Sequence, residues 1–219
     1  MGFVFPSCLY VIVDPAGVAG RTHLELACAA LAAGVPLLQL RMKHADTREF
    51  IDCARAMRAL CTQRGAKFLV NDRVDIAVLV DADGVHLGQD DLSPGLARHW
   101  LGKEKIIGWS THNLAQAKAA QVAGFVDYIG VGPIFPTSTK ERPDPVLGLD
   151  GLREIRAAVD LPIVAIGGIT PETAREVLAA GADAVAMIGA IAHAPDPAAL
   201  LKELRVLLDG PTVTKSKPL

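Results

Sequence analysis

Residues 39–43, Gln-Leu-Arg-Met-Lys, carry the densest chemistry in the chain. They follow the apolar run 35–38 and alternate. Side chains of a strand alternate faces with period two, so Gln39, Arg41 and Lys43 share one face and Leu38, Leu40 and Met42 the other. Two cations and an amide at the end of a buried strand need a partner, because unpaired buried charge costs several kcal/mol at least, on the order of a whole fold's margin. An anion such as a phosphate would satisfy them. Taken alone, the segment fits an edge strand with a wet face equally well.

The elements that would position these residues break that tie. The 219 residues (23.0 kDa) suit one domain with a full core. Hydrophobic residues make up 51%, with few aromatics, a mix that suits an α/β protein with buried strands. A net charge of −2 without a basic stripe argues against a nucleic-acid surface. No apolar run is long enough to span a bilayer. The run 3–13 is broken by Pro6, ends at Asp14 and lacks a basic start, so it does not read as a signal peptide. Cys8, Cys28, Cys53 and Cys61 show no C-x-x-C pair and read as reduced thiols of a cytoplasmic protein, with Cys28 and Cys53 packing among helical alanines.

Strand patterns fall at 8–13, 37–41, 67–70, 84–87, 105–109, 128–131, 162–166 and 184–188. Helix patterns lie at 22–33, 47–64, 73–80, 94–101, 114–123, 149–159, 171–180 and 197–208. Eight of each in strict alternation predict parallel β/α units, closed as a single (β/α)8 TIM barrel over 1–209. An open doubly wound sheet is the alternative. Gly34, Gly124 and Gly181 end helices, and Thr170-Pro171 reads as a cap followed by a first-turn proline. Residues 210–219 read as a disordered tail.

In such a barrel, function sits at the C-terminal strand ends, where the unusual residues fall. Helices cover the outside, so the polar face of 39–43 must point inward. Asp72 and Asp91, facing Arg41, Lys43 and Lys140, suggest a metal-bound diphosphate, since Mg²⁺ takes one or two carboxylates plus phosphate oxygens. Each aspartate also fits a helix cap or turn. Zinc spacings of His and Cys are absent. Gly167-Gly168 and Ile188-Gly189 match the phosphate site that recurs after barrel strands seven and eight, although a glycine pair also makes a tight turn. Ser110 lacks any Ser-His-Asp order or G-x-S-x-G elbow and reads as a hydrogen-bond donor. His112 is placed to orient Ser110 or cap the next helix, His86 reads as structural, and Gln39 suits a heterocycle.

Together, QLRMK (39–43), NDR (71–73), DGVHLGQDD (83–91), GWSTH (108–112), DYIGVGPIFPTSTK (127–140) and VAIGGI (164–169) resemble the thiamine-phosphate synthase family, over nearly the whole folded chain. That family joins 4-amino-2-methyl-5-pyrimidinylmethyl diphosphate to thiazole ethyl phosphate, or its carboxylated form, and releases pyrophosphate. The resemblance implies a transferase in which segment 39–43 (Leu40 and Met42 included), Asn71, Ser110 and Lys140 bind the pyrimidine diphosphate. Arg41, Lys43, Ser110 and Lys140 are its implied catalytic groups. It implies Mg²⁺ at Asp72 and Asp91, and thiazole phosphate at Thr137, Ser138, Thr139, Gly168, Ile188 and Gly189. The family usually has Ser where this chain has Gly189, which removes one side-chain donor. The implied chemistry is dissociative: pyrophosphate leaves first and the thiazole nitrogen traps the pyrimidine carbocation. Such a reaction asks for leaving-group stabilisation and positioning rather than a strong base.

Three rival readings are weighed. A thiazole tautomerase has a similar barrel but needs neither metal nor diphosphate site. A thiamine-phosphate sensor could dispense with the carboxylates. A sugar-phosphate epimerase shares the strand-seven glycines but not PTSTK. Oligomeric state is left open, a homo-oligomer included.

Overall fold

The computed structural model describes residues 2–15, 18, 20–137 and 144–210. Eight parallel strands close on themselves: β1 (Leu9–Val13), β2 (Leu37–Leu40), β3 (Lys67–Asn71), β4 (Gly84–Leu87), β5 (Ile106–Thr111), β6 (Tyr128–Val131), β7 (Ile163–Ile166) and β8 (Ala184–Met187). Each pairs with the next, and β8 pairs with β1 in the register Leu9 to Val185. Between them run α1 (His23–Ala32), α2 (Thr47–Arg64), α3 (Val74–Leu79), α4 (Pro94–Leu101), α5 (Leu114–Ala123), α6 (Gly148–Ala158) and α7 (Ala174–Ala179). The short α8 (Gly189–Ala192) and the closing α9 (Pro197–Asp209) follow β8.

Local signals explain most helix starts. Thr22 and Glu25 form a reciprocal capping box on α1, and Asp46, Ser93, Asn113 and Asp196 cap α2, α4, α5 and α9. Thr170-Pro171 does not cap α7, contrary to expectation. Pro171 leads a turn in which the Thr173 and Ala174 amides donate to the Thr170 carbonyl, and the helix begins at Ala174. The expected strand 184–188 stops at Met187, and Gly189 opens α8, too short for its own periodic signal.

Two cores result from strand alternation. One face of every strand packs under the helices, as Leu38, Leu40, Phe68 and Val85 do. The other fills the barrel with Tyr10, Ile12, Leu37, Leu69, Tyr128, Val164 and Ala186. Phe3 and Phe5 close the N-terminal end, their rings packing on Tyr128 at 5.6 and 5.1 Å between centroids.

That end also carries a device repeated three times. Asp83, Asp127 and Asp183, each just before an even-numbered strand, accept the amide protons of Phe68, Ile107 and Ile163 at 2.9, 2.7 and 2.8 Å. Each carboxylate also meets an arginine from the outer ring: Arg58, Arg98 and Arg156. These clasps lock neighbouring strands at the end of the barrel that carries stability rather than chemistry.

Candidate active site

The C-terminal strand ends open into a cavity of roughly 980 Å³ with both apolar and charged walls, within the size range of small-molecule sites. Gln39, Arg41, Lys43, Asn71, Asp72, Asp91, Ser110, Thr137, Gly168, Ile188 and Gly189 all line it. The structure turns two expected residues away. Leu40 is fully buried under the helices and Met42 packs against the same outer core, because alternation puts them opposite Gln39 and Arg41. Only their backbone can face a ligand. Ser138, Thr139 and Lys140 lie outside the described residues.

Asp72 is not a helix cap. Arg73 occupies the cap position of α3, while Asp72 adopts φ +62°, a left-handed conformation tolerated mainly by Gly, Asn and Asp. Its amide donates to the His86 carbonyl of β4 at 2.8 Å. This bend turns its carboxylate onto the Lys43 ammonium and into a hydrogen bond with Asp91. Burial, and then the Asp91 hydrogen bond, lift the Asp72 carboxyl to about 6 against the opposing pull of Lys43. Asp91 also does turn work, accepting the Gly88 amide at 2.7 Å.

Arg41 has a partner that the sequence reading did not assign: the buried carboxylate of Asp14, just past β1. His23, its ring pulled below the ordinary histidine range by burial, meets the Arg41 carbonyl at 3.2 Å. The guanidinium is thus held in place before any ligand arrives.

Ser110 is oriented by His86, not by His112. His86 Nε2 lies 2.9 Å from Ser110 Oγ, while His112 Nδ1 reaches the Gly132 carbonyl at 2.6 Å and Nε2 lies 3.4 Å from Asp144. Nor does His112 cap α5, since Asn113 does. His86 Nδ1 lies 2.9 Å from the Tyr128 hydroxyl, which lies 3.0 Å from the Tyr10 hydroxyl, and Tyr10 accepts from Gln39 Nε2 at 2.7 Å. Burial pushes both phenols well up, so they stay protonated. Sequence reading missed the tyrosines because nothing marks an aromatic in an apolar strand as polar.

The glycine pair after β7 has a packing reason as well. Gly167 and Gly168 sit at φ +100° and +63°, and a Cβ on them would meet Pro133 at 2.6 Å and the Pro136 carbonyl at 2.5 Å. Residues 133–136, just after β6, therefore rest directly on the β7 turn, with the Phe135 amide donating to the Gly167 carbonyl at 2.9 Å. Among the described residues no group of three or more His, Cys, Asp or Glu side chains forms a metal cage.

Two cations, a carboxylate pair and a glycine-lined rim around one cavity define a barrel enzyme that handles phosphorylated substrates. Residues 9–191 match the family described as thiamine monophosphate synthase. A thiamine-phosphate synthase of Chloroflexus aurantiacus is 47% identical over 96% of this chain and 95% of its own length. That of Moorella thermoacetica is 49% identical over 90% and 93%. A solved thiamine phosphate pyrophosphorylase from Pyrococcus furiosus superposes with a TM-score of 0.82 at 40% identity, covering 92% of this chain and 95% of its own. The chain belongs to the thiamine monophosphate synthase family, and its activity is that of a transferase making thiamine phosphate.

Proposed function

We propose that this enzyme joins 4-amino-2-methyl-5-pyrimidinylmethyl diphosphate to thiazole ethyl phosphate, or its carboxylated form. The bond from the pyrimidine methylene carbon to the diphosphate oxygen breaks, and pyrophosphate keeps the electron pair. The thiazole nitrogen then gives its lone pair to that carbon. Arg41 and Lys43, with Lys140, take up the charge growing on the leaving diphosphate, and Gln39, Asn71 and Ser110 orient the pyrimidine. Thr137, Ser138, Thr139, Gly168, Ile188 and Gly189 receive the thiazole phosphate.

The observation that carries this reading is the Lys43–Asp72–Asp91 chain beside Arg41 at the cavity mouth. Two carboxyls close enough to hydrogen bond, one of them holding its proton to about pH 6, are a donor set that a divalent cation relieves. Asp72 and Asp91 would hold Mg²⁺, which would supply neutralisation of the diphosphate as it leaves. We also place the enzyme in the cytoplasm, where its four free cysteines would stay reduced. No helix among the described residues is long and apolar enough to cross a membrane.

The test is pyrophosphate release from the two substrates with Mg²⁺. Thiamine phosphate should form only with both substrates present, matched by pyrophosphate release, and both should stop in chelator. Pyrophosphate release from the two substrates with no thiamine phosphate formed, or release at full rate in chelator, would defeat the reading.

A further inference from the structure

Gln39 on β2 and Ser110 on β5 stand three strands apart, yet one line of hydrogen bonds, buried at Tyr10 and Tyr128 and half-buried at His86, joins them through the barrel: Gln39, Tyr10, Tyr128, His86, Ser110. Its direction follows from counting protons. Each phenol has a single proton to give. Tyr10 accepts from Gln39 Nε2, so its own proton goes to Tyr128. Tyr128 therefore donates to His86 Nδ1, which must be bare. A neutral imidazole with a bare Nδ1 carries its proton on Nε2, and that proton goes to Ser110 Oγ. The serine's own proton is then free to point into the cavity that Ser110 lines.

We infer that this relay is a positioning device. It fixes His86 as the neutral Nε2–H tautomer and thereby presents Ser110 to the pyrimidine diphosphate as a hydrogen-bond donor. His86, Tyr128 and Tyr10 are positioning residues for the reaction, acting through Ser110. Space for them is built into the strands. A Cβ on Gly108 would lie 2.1 Å from Tyr128 Cζ and 2.6 Å from His86 Nδ1, and one on Gly130 would lie 3.0 Å from His86 Cε1. Two strand positions thus forgo a side chain where the relay passes. Reversed polarity would need the Gln39 amide turned over, with Oε1 accepting from Tyr10 and Nδ1–H on His86. Ser110 would then give its proton to the ring and offer only lone pairs to the ligand.

The inference takes from the proposed function only that Ser110 touches the pyrimidine diphosphate. Its first test needs no turnover. In ¹⁵N-histidine-labelled protein at neutral pH, the His86 signals, assigned by their loss in His86→Gln, should show a bare Nδ1 and a protonated Nε2. A protonated Nδ1 overturns the inference whether or not the enzyme is active. Tyr128→Phe keeps the ring packing and removes the hydroxyl, so the Nε2–H preference should be lost; an unchanged tautomer would show that Tyr128 does not set it.

The second test is kinetic, on variants shown folded by circular dichroism. His86→Ala should raise KM for the pyrimidine diphosphate about tenfold, the scale of one hydrogen bond to a charged or strongly polar group. His86→Gln, which can restore an N–H toward Ser110, should recover most of it, while KM for the thiazole phosphate holds. Equal KM in Ala and wild type, or no recovery by Gln, overturns the role. A wild-type enzyme releasing no pyrophosphate would fault the proposed function and leave the tautomer result standing.

Discussion

Asp72→Asn should make the metal-free protein more stable at pH 8 while removing most of its activity. The carboxyl is lifted from an ordinary 3.8 to about 6 by burial and by Asp91. Between those values the folded state binds a proton that the unfolded state has lost, so stability falls as pH rises through the window. The stabilising contribution is complete below 3.8 and gone above about 6. A gap of about 2 units at about 1.4 kcal/mol each gives roughly 3 kcal/mol lost by pH 8, and about half of that already by pH 5. This is an upper figure, because the Asp72 side chain keeps 18% of its surface in water. Asparagine is neutral throughout, close in shape, and at home at φ +62°. It should therefore stand above wild type by up to about 3 kcal/mol at pH 8, a Tm gain of about 6–12 °C for a chain this size. Lys43 loses its partner, but with 43% of its side chain exposed it gives up little. Thermal melts in chelator from pH 5 to 8 measure the gap, and Mg²⁺ added at pH 8 should raise the wild-type Tm and leave the variant unmoved. A variant less stable than wild type at pH 8, or a gap that does not widen with pH, would refute the reasoning.

Asp72→Ala and Asp91→Ala should each lower kcat by about 10²–10³, and the double variant should be little worse than the worse single one if both act through one ion; additivity in the double-mutant cycle would separate their roles. Gly189→Ser should be tolerated, since an added Cβ there meets only His193 Nδ1 at 3.9 Å, and should lower KM for thiazole phosphate by about threefold with kcat unchanged. A rise of about tenfold would show a pocket shaped around the bare backbone. Asp14→Ala leaves Arg41 without its buried carboxylate and should cost about 3 kcal/mol in a urea melt. A loss under about 1 kcal/mol would mean the pair is as wet as a surface bridge.

The barrel was legible because its units repeat one pattern, an apolar strand followed by a helix, marked in most units by a capping side chain before the helix or a glycine beyond it, though α3 and α6 have neither. Strand ends moved by only a residue or two, as when 105–109 became Ile106–Thr111. Charged residues in the cavity were legible too, because a cation or carboxylate at a strand end has few explanations. Three kinds of feature were not. Leu40 and Met42 entered through a contiguous motif, although alternation sends their side chains to the other face. Asp14 closes β1 and looked like the end of a strand, yet it holds Arg41. Tyr10, Tyr128 and His86 meet only when β1, β6 and β4 curve round to face one another, so no spacing along the chain announces them.

These misses share a cause. Along a single strand, Tyr10 is one more large residue among Leu9, Val11 and Ile12, and only closure of the barrel brings its hydroxyl to a second phenol and an amide. Closure also makes the arrangement exacting. A buried polar atom without a partner costs about 1–3 kcal/mol, and among the described residues none is left without one. The interior therefore cannot hold half of the line. Once Gln39 faces inward for a ligand, its amide needs Tyr10, that phenol needs Tyr128, and the line ends only at the ring that meets Ser110. Gly108 and Gly130 are the trace of this in the sequence. They stand on β5 and β6, inside otherwise regular strands, where glycine weakens pairing. The cost is borne because a side chain at either position would displace the rings that connect one wall of the cavity to the other.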